Sequence, residues 1–169
     1  WMQTANRLWA STATQLSLTF SGRNAVADNI DVIGINYAEN GFVKGTAANV
    51  RHFRNMVRAY PKAFEFARTG KTSDPSLQAY IDAGGLIGGV GNEGYTSIAD
   101  GIRKDFASGK KNPVALVKAV FRGIKVLNET VELATRVGDF ENQIAMGKSA
   151  KDAALHSREV SVDFNQKGE

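Results

Sequence analysis

The chain contains no cysteine. That excludes a disulfide framework, a thiolate metal site and a cysteine nucleophile. Its two histidines, His52 and His156, lie far apart in sequence. A zinc site would need both of them plus carboxylates, so no metal and no cofactor is expected. With three prolines in 169 residues, long stretches are free to be helical. No run of eighteen apolar residues occurs, which removes a transmembrane helix. Nothing near Trp1-Met2 has the charged region and apolar core of a signal peptide. That opening does not read as a natural start, and the chain is expected to be a fragment of a larger protein.

Hydrophobic residues make up 43% and charged residues 22%, a globular rather than a disordered composition. The net charge of +4 is mild, and its excess is spread over the C-terminal part. That is too diffuse to imply nucleic acid by itself.

The apolar period is helical nearly throughout, and the fold class is all-α: an irregular helical bundle with little or no β structure. Asn112-Pro113 offers a cap followed by proline at the first helical position. Val117, Val120, Ile124, Leu127, Val131 and Ala134 then form one stripe of a long helix over about 113–146, extended by Phe140 and Ile144. Gly147 is its stop, and Ser149 with Asp152 caps a shorter helix to about Val160. Asp74-Pro75 opens another short helix to about Ala83. Residues 46–69 read as helical, with Pro61 expected to kink or split them. Residues 2–16 and 24–39 read as helices separated by Thr19–Gly22, and Leu16–Phe20 alternates like a lone strand. Six glycines over residues 84–94 form a connector. It divides an N-terminal helical part, 1–83, from a C-terminal part, 95–169. The long helix is expected to pack antiparallel to residues 46–83, with Phe164 anchoring the tail.

The motifs are weak. Gly89-Val-Gly91-Asn-Glu-Gly94 matches the dinucleotide-turn string, but no strand–turn–helix unit surrounds it. Gly147-Lys148-Ser149 lacks the glycine that a phosphate loop requires upstream. Ser108-Gly-Lys-Lys111 has a serine–lysine spacing in a polar turn with nothing to activate Ser108. Arg51, Arg54, Arg58 and Lys62 fall on one helix face, either a phosphate-contacting stripe or a solvated side opposite Phe53, Met56, Val57 and Tyr60. The long helix carries Glu129, Glu132, Asp139 and Glu141. Glu132 and Arg136, four apart, suit a helix ion pair better than acid–base work. Asp163-Phe164 reads as a cap or ion-pair acceptor, open to Arg136 or Arg158, followed by an aromatic anchor.

The pattern Glu132, Arg136, Phe140, Gly147, Ala153-Ala154, Arg158, Val162-Asp163-Phe164 and Gly168 resembles a helical module of the large polyvalent protein-associated domains of tailed bacteriophages. The resemblance covers about residues 40–169 and is sharp from Glu129 to Gly168. It transfers no catalytic residue. It implies a non-enzymatic structural and interaction segment of an internal virion, or ejection, protein. Such a protein sits inside the virion and then enters the host envelope or cytoplasm. Its expected partners are other virion proteins or copies of itself, with phage DNA or the host envelope as further contacts and no small-molecule substrate. The alternatives are an accessory helical scaffold of a large virion enzyme, such as an RNA polymerase or cell-wall hydrolase, and a nucleic-acid-binding helical module. Apolar stripes left over after intrachain packing would be interfaces.

Overall fold

The structure, a computed structural model, describes residues 18–86 and 113–160. The expected strand-like segment, the remainder of the glycine-rich connector, Ser108, Asn112, Asp163 and Phe164 lie wholly or partly outside those residues. Helix covers Leu18–Thr69, Pro75–Asp82, Pro113–Ala145 and Ala150–Glu159, and no strand occurs among the described residues. The chain is therefore all-α where it is described.

Leu18–Thr69 is two helices joined at Gly41, whose φ of 68° and ψ of 179° are not helical. Side chains prove that the arms fold back. Asn36 donates from Nδ2 to Asn49 Oδ1 at 2.8 Å. His52 Nε2 lies 3.2 Å from Asn29 Oδ1. In a straight helix those pairs would stand roughly 20 and 35 Å apart. The arms, α1 (18–40) and α2 (42–69), form an αα-hairpin. Only glycine takes the turn conformation without strain. Four residues on, a β-carbon at Gly45 would lie 2.7 Å from the Tyr37 ring and 2.8 Å from the Asn36 carbonyl oxygen, so the arms touch there.

Two expectations fail in this region. Thr19–Gly22 does not interrupt α1, and Leu18–Phe20 are helical rather than extended. A single glycine costs a helix only about 1 kcal/mol, which the rest of the arm offsets. Pro61 does not split α2 either. Pro61 and Val57 are both exposed, so the Val57 carbonyl that loses its helical partner is on the solvent side.

The stops use glycine chemistry. Gly70 N–H donates to the Phe66 carbonyl at 2.7 Å with φ at 69°, ending α2. Asp74 caps α3 (Pro75–Asp82), accepting from the N–H groups of Ser76 and Leu77. Gly84, at φ 83°, and Gly85 end it by donating to Ile81 and Tyr80. Helix α4 (Pro113–Ala145) stops at Gly147, at φ 91°, where Lys148 N–H donates to Gln143 and Gly147 N–H to Ile144. That is the paired arrangement of a Schellman turn. Ser149 then caps α5 (Ala150–Glu159), accepting from Asp152 N–H.

Helix α4 is the centre of the molecule: every residue from Leu133 to Phe140 is buried. The hairpin, α3 and α5 all pack on it. Ala59, Ala63 and Phe66 of α2, Leu77 and Tyr80 of α3 and Ala153 of α5 share one core with Leu133, Val137 and Phe140. The residues placed before and after the glycine-rich connector thus meet in one interior. Tyr80 and Phe140 meet edge to face, centroids 5.4 Å apart, and the Tyr80 hydroxyl donates to the Gly85 carbonyl.

The buried stripes differ from those the hydrophobic period selects. Leu127 and Ile144 are exposed, while Val126, Glu129 and Thr130 are buried. On α2, Phe53 and Val57 are exposed; Met56 and Tyr60 are half-buried against the core. The deep positions instead belong to His52, Asn55, Ala59 and Ala63. Close approach explains this. A β-carbon on Gly138 would come within 2.7 Å of the Met56 backbone nitrogen, so only small or flat side chains fit beside that crossing.

Candidate functional site

Two groupings carry the polar chemistry, and a third is an apolar surface. The first joins α1, α4 and α5. Asp139, fully buried, receives His156 Nδ1–H on Oδ2 at 2.8 Å and Gln143 Nε2–H on Oδ1 at 3.2 Å. His156 Nε2 lies 3.4 Å from Gln143 Nε2 and 3.6 Å from Glu39 Oε1. Lys148 donates to Glu39 Oε2 at 3.2 Å. A carboxylate–imidazole pair is half of a nucleophilic triad. Here the second imidazole nitrogen faces an amide and a carboxylate, and no hydroxyl or thiol stands on it among the described residues. The pair ties α4 to α5, and Glu39 adds α1 through His156 and Lys148.

Asp139 also lends negative charge to buried His52. Burial pushes the His52 imidazole below its ordinary range, and Asp139 opposes that only in part. Asn36, Asn49, His52, Asn142 and Gln143 are buried too, each with at least one side-chain polar atom lacking a hydrogen-bond partner among the described residues. The buried side chains of the hairpin and of α4 are therefore not purely apolar.

The second grouping centres on Lys62. Its ammonium donates to Ser76 Oγ at 2.5 Å, Glu141 Oε1 at 2.6 Å and Asp74 Oδ1 at 3.2 Å. Three N–H donors meet three acceptors, which uses the whole capacity of the group. A serine–lysine pair can be catalytic when the amine is free to take a proton. This one is saturated by two carboxylates and joins α2, α3 and α4. Burial pushes the Asp74 carboxyl up, but bonds from Leu77 N–H, Ser76 and Lys62 hold it below its usual range.

The third grouping is on the surface. Val50, Phe53, Val57 and Phe64 are exposed at helical spacing along α2, and Val26, Ile30 and Tyr37 along α1. Tyr37 stacks on Phe42, centroids 5.8 Å apart, and its hydroxyl is 3.4 Å from Thr46 Oγ1. Thr46 lies on the Val50 stripe, so these contacts merge the stripes of both arms into one face. Phe42 and Val43 at the hairpin tip are 80% and 81% exposed.

The basic stripe divides. Arg54 and Arg58 are exposed and Arg51 half-exposed, with no ion pair to any of them among the described residues. Lys62 is turned into its own cluster. Of the other singled-out residues, Arg136 pairs with Glu132 at 2.7 Å and is buried, Phe140 is in the core, and Arg158 is half-buried on α5. Sequence reading did not join Asp139 to His156. The signal was Gly147: those residues stand eight before and nine after it, so a stop there folds them together. No group of histidine and carboxylate ligands able to hold a metal occurs among the described residues. No helix there is long and apolar enough to cross a membrane. No family model, curated protein or solved structure matches this chain.

Proposed function

We propose that this chain is a structural and interaction segment, and not an enzyme, of a bacteriophage internal virion protein delivered into the host with the genome. The observation that carries the interaction reading is the apolar face on the outer side of the hairpin, which the other described helices leave uncovered while the inner side packs on α4. The three acceptors around Lys62 support a non-catalytic role for that group, since its ammonium is not free to work on a substrate. The phage assignment rests on the pattern from Glu129 to Gly168. It is tested by mass spectrometry of purified particles carrying the parent gene. The protein is expected among the packaged components, and its absence from particles would sink the assignment.

One observation favours a second reading, a nucleic-acid-binding module: Arg51, Arg54 and Arg58 have no acidic partner among the described residues. That reading expects duplex binding that weakens steeply with salt and is lost when the three arginines become glutamine.

A further inference from the structure

We propose that the outer face of the α1–α2 hairpin binds the surface of an anionic lipid bilayer, with the tip residues Phe42 and Val43 entering the headgroup region. The proposal deepens the interaction reading above and rests on it. Two observations meet on this face. One is the apolar stripe, with Val26 and Ile30 on one arm and Val50 and Val57 on the other more than half exposed. The other is charge. Residues 42–69 carry six basic side chains against one acidic, and with Lys62 turned into its own cluster five remain against Glu65. Helices that lie in a membrane interface combine these features: apolar side chains enter the acyl boundary while Lys and Arg beside them meet lipid phosphates.

The charge distribution also decides between occupants. A second copy would have to supply carboxylates for Arg51, Arg54 and Arg58. On α1, Asp28 is buried and Glu39 is held by Lys148, which leaves Asp31 exposed. With Glu65 of α2 also exposed, two such faces meeting would set two exposed carboxylates per copy against the three arginines, so like charge would predominate. A nucleic-acid backbone would satisfy the arginines but offers nothing to cover Phe42, Val43, Val50 and Val57. An anionic bilayer satisfies both sets at once.

The test uses the full 169-residue chain in flotation with phosphatidylglycerol or phosphatidylcholine vesicles, with light scattering of the chain alone. The expected result is a monomer that floats with phosphatidylglycerol and only weakly with phosphatidylcholine. Val50→Glu and Val57→Glu together should abolish flotation. Arg54→Gln and Arg58→Gln together should weaken phosphatidylglycerol binding about thirtyfold, from about 1 kcal/mol per basic residue near an anionic surface. All four positions are exposed, and unchanged circular dichroism shows that the variants fold. Three results would overturn the proposal. One is no flotation. Another is a stable dimer that Val50→Glu dissociates, which assigns the face to a second copy. The third is duplex DNA binding unaffected by Val50→Glu with no lipid binding, which assigns the arginines to nucleic acid. The particle measurement is independent: presence in particles without flotation refutes the lipid proposal alone, and flotation without presence in particles refutes the phage assignment alone.

Discussion

Gly138 lies directly against the backbone of Met56: a β-carbon there would stand 2.7 Å from the Met56 nitrogen and 2.8 Å from its α-carbon. Backbone atoms cannot rotate aside as a side chain can, so the hairpin and α4 cross where glycine permits it. Gly138→Ala should destabilise the fold by about 1–3 kcal/mol despite alanine's better helix propensity, because overpacking outweighs propensity here. Gly123, on the same helix, has nothing within 4 Å, and Gly123→Ala should stabilise by up to about 1 kcal/mol. Urea denaturation of the two variants checks the opposite signs.

The hairpin depends on Gly41 for a different reason. Its φ of 68° is unfavourable for any side chain, although nothing crowds the site. Gly41→Ala should cost about 1–2 kcal/mol through the backbone alone. Gly34→Ala, in helical conformation with open space around it, should be neutral or stabilising. If both variants melt at the parent temperature, the turn is not where the chain reverses.

Glu129 gives the fold a pH dependence. Burial is the main cause that pushes its carboxyl from the usual 4.5 up to about 7; Glu132 adds to this and Lys125 opposes it. The folded state therefore holds the proton more tightly than the unfolded chain. The stabilisation is complete below about pH 4.5 and is lost as pH rises through about 7. Glu129→Gln should be more stable than the parent by roughly 2–3 kcal/mol at pH 8, and the difference should shrink toward pH 4. His52 acts in the opposite sense. Its lowered value means stability is lost as pH falls below the ordinary histidine range. Chemical denaturation across pH 4–9 separates the two.

Lys62 joins three helices, and truncating it leaves Glu141 and Asp74 facing each other through Ser76. Lys62→Met should cost about 2–4 kcal/mol, while the more exposed Lys148→Met, which loses one contact to Glu39, should cost under about 1 kcal/mol. Equal small losses would show that the Lys62 cluster is solvated.

The helix ends were legible because they are written in local chemistry. Asp74-Pro75, Ser149 with Asp152, and Gly147 each fix a boundary through bonds that span only a few residues. The Glu132–Arg136 ion pair was legible for the same reason. What was not legible is which helix face turns inward. Phe53 and Val57 are more hydrophobic than His52 and Asn55, so periodicity chose the wrong side of α2. The inward side is set by how closely Met56 approaches Gly138, a relationship across 82 positions that no local pattern encodes. The Asp139–His156 pair is intermediate. It required combining a correctly read stop at Gly147 with two residues considered separately.

The central claim is that the fold leaves the outer side of the hairpin open for a partner. The absence of native cysteine makes this directly measurable, because Val57→Cys gives the chain a single thiol. A thiol-reactive probe should label Val57→Cys in the free folded protein nearly as fast as in urea, while Val137→Cys, in the core, should react only on unfolding. Slow labelling of Val57→Cys in the folded monomer, at a rate like that of Val137→Cys, would contradict the account.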